Sequence, residues 1–299
     1  MQGPFHAGEL EMQRRAGVRD EARAVGRIIA SRIPPAAARF LARQRMAVAA
    51  SLDTEGRVWT SLLSGRPGFI AAVDQTLLRL EARPAPGDPL LANLAARPEL
   101  GLLVLDPQTR QRMRFNGRGL ASPEGLFLLV DQVYGNCPKY IQRRRLEPEV
   151  GADPGATRAS DRLDARQQSM IANADTFFIG SVHPQGGADA SHRGGFPGFV
   201  RVLAPDRLAF ADYPGNAMFN TLGNLVANPR AGLLFVTFAT GEVLQLTGRA
   251  QIQSDFTVVF DIEAVLETAR GSSLRWQLVA YSPANPELSH PAAAGISNT

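Results

Sequence analysis

The sequence predicts a mainly β (α+β) protein made of two small antiparallel barrels in tandem. The first observation is an echo: "NLAARPELGLLV" at Asn93 to Val104 returns as "NLVANPRAGLLF" at Asn224 to Phe235. The echo extends both ways at an offset of about 130 residues, as a true repeat must. "GRPGF" (Gly65 to Phe69) matches "GFPGF" (Gly195 to Phe199), Ser51 and Gly56 fall opposite Ser181 and Gly186, and "NGRG" (Asn116 to Gly119) matches "TGRA" (Thr247 to Ala250). The last observation is that each copy is a series of short strand-like runs divided by turn signals. A chain of 299 residues with 44% hydrophobic content also exceeds one comfortable core and favours two domains.

Residues 1–35 have a helical, charged character and are expected to pack outside the first barrel. The first barrel, 36–146, opens on the helical "AARFLARQRM". It continues through "AVAASLD", the turn "TEG", "RVWTSLLSG", "GFIAAV", "LLRLEA", "GLLVLD" and "RMRFNGRGLA" as strands. Residues 147–164, rich in Pro, Gly, Ala and charge, read as a linker. The second barrel, 165–282, repeats the plan with "ARQQSMIANA" as helix and "FFIGSVHPQGG", "GFVRVL", "RLAFAD", "GLLFVTF" and "EVLQLTGRAQI" as strands. In each copy a short helix closed by a proline, within "DPLLANLAARPE" or "NAMFNTLGNLVANPR", lies between strands. Six or so strands with one helix across the mouth predict a small barrel. Residues 283–299 read as a flexible tail.

Composition narrows the function. Apolar runs such as "GLFLLV" and "AGLLFVTF" are far shorter than the ~20 residues of a spanning helix, so no membrane association is expected. The N-terminal stretch lacks the apolar core of an export signal, and the single Cys137 implies no disulfide, so a cytoplasmic location is the default. The net charge is +4, but the arginines are scattered among acids and "QRRRLEP" is the only compact basic run, which argues against nucleic acid as a partner. His183 and His192 have no acids near them at metal-ligand spacing, so no metal is expected. There is no phosphate-binding loop of the G-x-x-x-x-G-K-[ST] type, no G-x-G-x-x-G opening a helix and no G-x-S-x-G elbow. Kinase, Rossmann and hydrolase readings fall away.

Lys139, the only lysine, lies two positions from the only cysteine in "NCPKYIQ". That segment has two readings: a flavin-adjacent or redox-active thiol with a cation beside it, or a loop that packs barrel against helix.

The strand and turn at "HPQGG", the strand ending in "SHRGG", then "RLAFADYPGNAMFNTLGNLVANPRAGLLFVTF" and "LQLTGRAQI" resemble the FMN-binding split barrel of pyridoxamine 5'-phosphate oxidase-like proteins. "FHAGE", "NCPKYIQ", "RGGFPGF" and "DYPGN" are similar to a tandem-barrel, flavin-nucleotide-binding branch of that family. The resemblance covers about residues 5–255 and implies two split barrels that form an intrachain pseudo-dimer with FMN in the groove between them. It implies an oxidoreductase acting on a small molecule, with an electron donor such as NAD(P)H; a homodimer is an open alternative. A flavin, haem or deazaflavin F420 carrier without turnover is the competing reading. Arg193 aligns with the family's phosphate-binding strand arginine. Gly194, Gly195 and Ser191 beside it, and Asn216, Asn220 and Thr221 around the helix start, complete the expected cofactor set. The first copy has Leu63 at the arginine's position and Asp88 where a phosphate would sit, so it is expected to have lost the anchor and to contribute Trp59 and Ser61, or Lys139, to the far wall. No catalytic residue is assigned. The carboxy-terminal "LRWQLVAYSPANPELSHP" is poor in the Trp and Arg that grip pyridoxamine phosphate in the vitamin B6 oxidases, which argues against that substrate.

Overall fold

Alternation along the strands explains the architecture. The computed structural model describes residues 3–148 and 154–287. The chain begins with α1 (Ala7–Ala16), α2 (Arg19–Val25) and α3 (Pro35–Leu41). The first barrel is β1 (Met46–Leu52), β2 (Val58–Ser64), β3 (Ile70–Ala72), β4 (Leu77–Leu80), α4 (Leu90–Ala96), β5 (Glu99–Asp106), β6 (Gln111–Ser122) and β7 (Gly125–Gly135). After β8 (Arg143–Leu146) and β9 (Thr157–Ser160), α5 (Ala165–Ala172) leads into the second barrel. That barrel is β10 (Thr176–His183), β11 (Gly187–Gly194), β12 (Val200–Ala204), β13 (Arg207–Ala211), α6 (Asn220–Ala227), β14 (Arg230–Thr237), β15 (Glu242–Ile252) and β16 (Thr257–Thr268), followed by β17 (Trp276–Ala280). Among the described residues no helix is long and apolar enough to cross a membrane.

The two antiparallel sheets have the same strand order, β2-β1-β5-β6-β7-β4-β3 and β11-β10-β14-β15-β16-β13-β12. Both carry a register shift at the matching bulge, Asn116/Gly117 and Thr247/Gly248. A Cβ on either bulge glycine would come within 2.0 Å of a carbonyl oxygen on the next strand, which accounts for the glycine shared by "NGRG" and "TGRA". Asn93 donates to Ser51 at 2.9 Å and Asn224 to Ser181 at 3.0 Å, so the same buried bond ties the short helix to the first strand in each copy.

β1 is buried along its whole length because both faces are covered. Ala47 and Ala49 point into the first barrel's core, whereas Met46, Val48, Ala50 and Leu52 point into an apolar layer shared with Phe178, Val182, Ala188, Ala190 and Leu234 of the second barrel. Gly101 and Gly232, the glycines of the two "GLL" echoes, lie at the closest approach. A Cβ on Gly101 would meet the Asp189 backbone at 2.6 Å, and one on Gly232 the Val58 carbonyl at 2.5 Å. The repeat thus preserves the residue that lets each barrel touch the other.

Several expectations need correction. A seventh strand, β7 or β16, closes each sheet; both lie in stretches that no strand was assigned to. Residues 147–164 are not simply a linker, since β9 pairs with β16, while 149–153 lie outside the described residues. The N-terminal extension does not pack only on the first barrel. Met12 of α1 is in the second barrel's core and Gly8 abuts the Gly223 carbonyl of α6, although Ala30 does bridge to Val133 and Ile33 joins the first core. β17 pairs with β8, and beyond it Asn285 donates to Gln142 at 3.1 Å. Residues 288–299 of the expected tail lie outside the described residues.

Candidate functional site

The pleat of β6 turns Met113 and Phe115 toward the first barrel and leaves Arg112, Arg114 and Asn116 on the face toward the second. Opposite them stand β11, the loop at 211–219 and the start of α6. The two sides enclose a cavity of about 80 Å³ lined by Arg112, Arg114, Asn136 and Tyr140 of the first half and by His192, Arg193, Gly194, Asn216, Asn220 and Thr221 of the second.

Cations dominate this cleft, and each has a buried polar atom without a partner. The Nε atoms of Arg112, Arg114 and Arg193, His192 Nε2 and both side-chain polar atoms of Asn136 are buried without a hydrogen bond among the described residues. Arg114 is held by Asp189 at 3.1 Å and Asn220 at 3.2 Å, and Arg193 by Asp212 at 2.8 Å. Among the described residues the Arg112 side chain pairs only with the ring of His192, Nη1 to Nδ1 at 3.1 Å. Burial first, then the charges of Arg114 and Arg193, push the Arg112 guanidinium down to about 9. Burial and the surrounding arginines hold the His192 imidazole well below its ordinary value, so it is neutral at physiological pH. Buried donors of one sign without acceptors cost free energy, which an anion in the cleft would recover.

Expected residues divide sharply by position. Arg193, Gly194, Asn216, Asn220 and Thr221 line the cavity. Ser191 lies just behind it, accepting from Thr221 Oγ1 at 2.8 Å. The Gly195 carbonyl instead accepts from Gln142 at 3.1 Å. Trp59, Ser61 and Lys139 are not brought to this cleft, which corrects their assignment to its far wall. Trp59 is buried with its Nε1 on Asp53 at 3.1 Å, and Lys139 is exposed. Within "NCPKYIQ" the working groups are Tyr140, which bridges the cleft by donating to the Pro214 carbonyl at 2.8 Å, and Gln142; Cys137 is half-buried beside them. Sequence reasoning missed Arg112, Arg114 and Asn136. The signal was present in "RMRFN", where arginines alternate with core residues on a strand.

Ser61 belongs to the matching place in the first barrel, and that place is filled from within. Asp88 accepts from Ser61 Oγ at 2.7 Å, from the Leu90 amide at 2.8 Å and from Gln245 at 2.9 Å. β15 presents Val243, Gln245 and Thr247 where β6 presents Arg112, Arg114 and Asn116. A carboxylate therefore takes the position an anion would occupy, and the arginines that would attract one are absent. Burial raises Asp88 to about 6 against those hydrogen bonds. A carboxyl that is harder to ionise in the folded chain binds more protons there than when unfolded, so its contribution is fully favourable below about 4 and is lost as pH rises through 6. Asp88→Asn is expected to raise Tm by about 2–4 °C at pH 8 and to leave it nearly unchanged at pH 4, as followed by thermal unfolding.

With this geometry in place, comparison with known proteins bears on the second barrel. Residues 163–269 match the pyridoxamine 5'-phosphate oxidase family. The second barrel is a pyridoxamine 5'-phosphate oxidase-like domain. Solved structures similar to part of the chain include HupZ of Group A Streptococcus (13% identical, covering 34% of this chain and 92% of that one, TM-score 0.29). An FAD-binding protein of Mesorhizobium loti is 14% identical over 38% of this chain and 98% of its own, with a TM-score of 0.27. The haem storage protein HutZ of Vibrio cholerae is 14% identical over 34% and 89%, with a TM-score of 0.24. No curated protein sequence matches significantly. The oxidase-like domain supplies β11 and α6 to the cleft, and the preceding barrel supplies β6.

Proposed function

We propose that the cleft between the barrels binds FMN and that the chain is an FMN-dependent oxidoreductase acting on a small molecule. The observation that carries this reading is the convergence of Arg112, Arg114 and Arg193, each with an unpartnered buried Nε, on one cavity beside the start of α6. That donor set suits a phosphate dianion. The cavity of about 80 Å³ between the arginines has room for the phosphate group. Tyr140 and Tyr213, both lining the cleft, offer aromatic surface to a flavin ring. FMN supplies hydride or electron transfer when bound; the chain's own residues neutralise the phosphate, orient it and exclude water.

A flavin-carrier reading is favoured by one observation. The carboxylates beside the cleft, Asp189 and Asp212, are tied to arginines, and His192 is held neutral. Anaerobic addition of NADPH or NADH to the FMN-loaded chain separates the two. Bleaching of the flavin absorbance, followed by its return with an added acceptor, is the result for an oxidoreductase; a flavin that stays oxidised marks a carrier.

A further inference from the structure

Behind the wall formed by Arg114 and Asp189 lies a second cavity of about 240 Å³. The N-terminal segment roofs it with His6 and Glu9, while Asn116, Tyr134 and Asp189 form its floor. Its lining contains two carboxylates and no lysine or arginine. Glu9 accepts from the His6 amide at 2.9 Å and from Asn220 Nδ2 at 2.6 Å. Asn116 is only 6% exposed; its Nδ2 donates to Asp189 at 3.1 Å, and its Oδ1 has no donor among the described residues. The cavity therefore has the opposite character to the cleft in front of it. There, several donors lack acceptors; here, one acceptor, Asn116 Oδ1, lacks a donor among the described residues.

We propose that this rear cavity binds a small organic cation through its ammonium group, which donates to Glu9 and to Asn116 Oδ1. An ammonium brings three donors, no acceptor and one positive charge, which matches a pocket with an orphan carbonyl and two carboxylates, Asp189 paired with Arg114 and Glu9 facing the His6 imidazole at 3.5 Å. An ammonium carrying a short organic substituent fits within this volume. Closure comes from the chain itself. His6 stacks on His183 with ring centroids 4.0 Å apart, and its Nε2 meets Asn224 Oδ1 at 2.9 Å, so the roof is latched to the second barrel. Glu9 faces His6 on its own segment, Asn220 on α6, Asp189 on β11, Arg114 on β6 and Tyr134 on β7. Burial raises Glu9 to about 7 against the His6 and Asn220 hydrogen bonds, so binding of a cation strengthens as pH rises through 7 and the carboxylate forms. This site is independent of the flavin reading.

The test uses the full chain without flavin and ethylammonium chloride as the probe, at constant ionic strength. Saturable calorimetric binding and a rise in Tm are expected with ethylammonium, and neither with ethanol nor with sodium acetate. Glu9→Gln, which keeps an acceptor for Asn220 but no charge, is expected to weaken binding at pH 8 by about tenfold or more. In the unaltered chain near pH 7, binding is expected to release protons, read as a dependence of the calorimetric heat on the buffer's ionisation enthalpy. The proposal is overturned by no binding up to about 100 mM ethylammonium, by an equal response to ethanol or acetate, or by the absence of proton release. An unchanged affinity in a folded Glu9→Gln variant overturns it as well.

Discussion

Replacing Arg193 by alanine is expected to weaken FMN binding by about ten- to a hundredfold, the loss of about 1.5–3 kcal/mol that accompanies removal of a charged hydrogen-bonding partner. Two effects act together. The phosphate loses a cation whose Nε is buried without a partner, and Asp212, held at 2.8 Å by Arg193, is left facing the ligand as an uncompensated carboxylate. Arg112→Ala is expected to weaken binding to a similar degree although it lies in the other barrel, because its guanidinium lines the same cavity and is held by His192. Arg66→Ala is the control: this residue is exposed and does not line the cleft, so its loss is expected to leave affinity within about twofold. Titration of flavin fluorescence measures all three. Equal losses for Arg193→Ala and Arg66→Ala would contradict the assignment, and an unaffected Arg112→Ala would show that the first barrel contributes no charge.

The second large effect is on stability. Gly101→Ala is expected to destabilise the chain by about 3 kcal/mol, at the upper end for overpacking a tight site, because the added methyl meets backbone rather than a yielding side chain. The Asp189 Cα lies at 2.6 Å, and the Ala188 carbonyl and Asp189 amide at 2.7 Å. The two barrels would have to separate at the strand that carries Asp189, the partner of Arg114, so flavin affinity is expected to fall with stability. Gly135→Ala, where nothing lies within 4 Å of the new methyl, is expected to change stability by less than about 0.5 kcal/mol. Chemical denaturation of the three chains gives the comparison; a Gly101→Ala chain as stable as the parent would contradict the docking of the barrels.

Much of this architecture was legible because it repeats. The shared "GLL" glycines, the Asn93–Ser51 and Asn224–Ser181 bonds and the bulge glycines Gly117 and Gly248 are local demands that a sequence must meet in each copy. β16 was less visible since "DIEAVLE" has the composition of a helix, and its strand character comes from burial of Val258, Phe260 and Ile262 against neighbouring strands. Arg193 and the start of α6 could be brought to one cavity from the sequence because they belong to one barrel. Arg112, Arg114 and Asn136 could not, since their role depends on how a second barrel docks 80 residues away in sequence, at His192. Trp59 and Ser61 do not reach this cleft because they belong to the first barrel's own strand β2, where Ser61 donates to Asp88 and Trp59 to Asp53.

That asymmetry is the central claim: one chain with two barrels has one anion site, assembled from β6 of the first and β11 with α6 of the second. Stoichiometry tests it most directly. Equilibrium dialysis of the purified, flavin-free chain against FMN should give one FMN bound per chain, displaced by excess pyrophosphate or by high salt. Two per chain would contradict the closure of the first copy's site by Asp88, and no binding would contradict the flavin assignment.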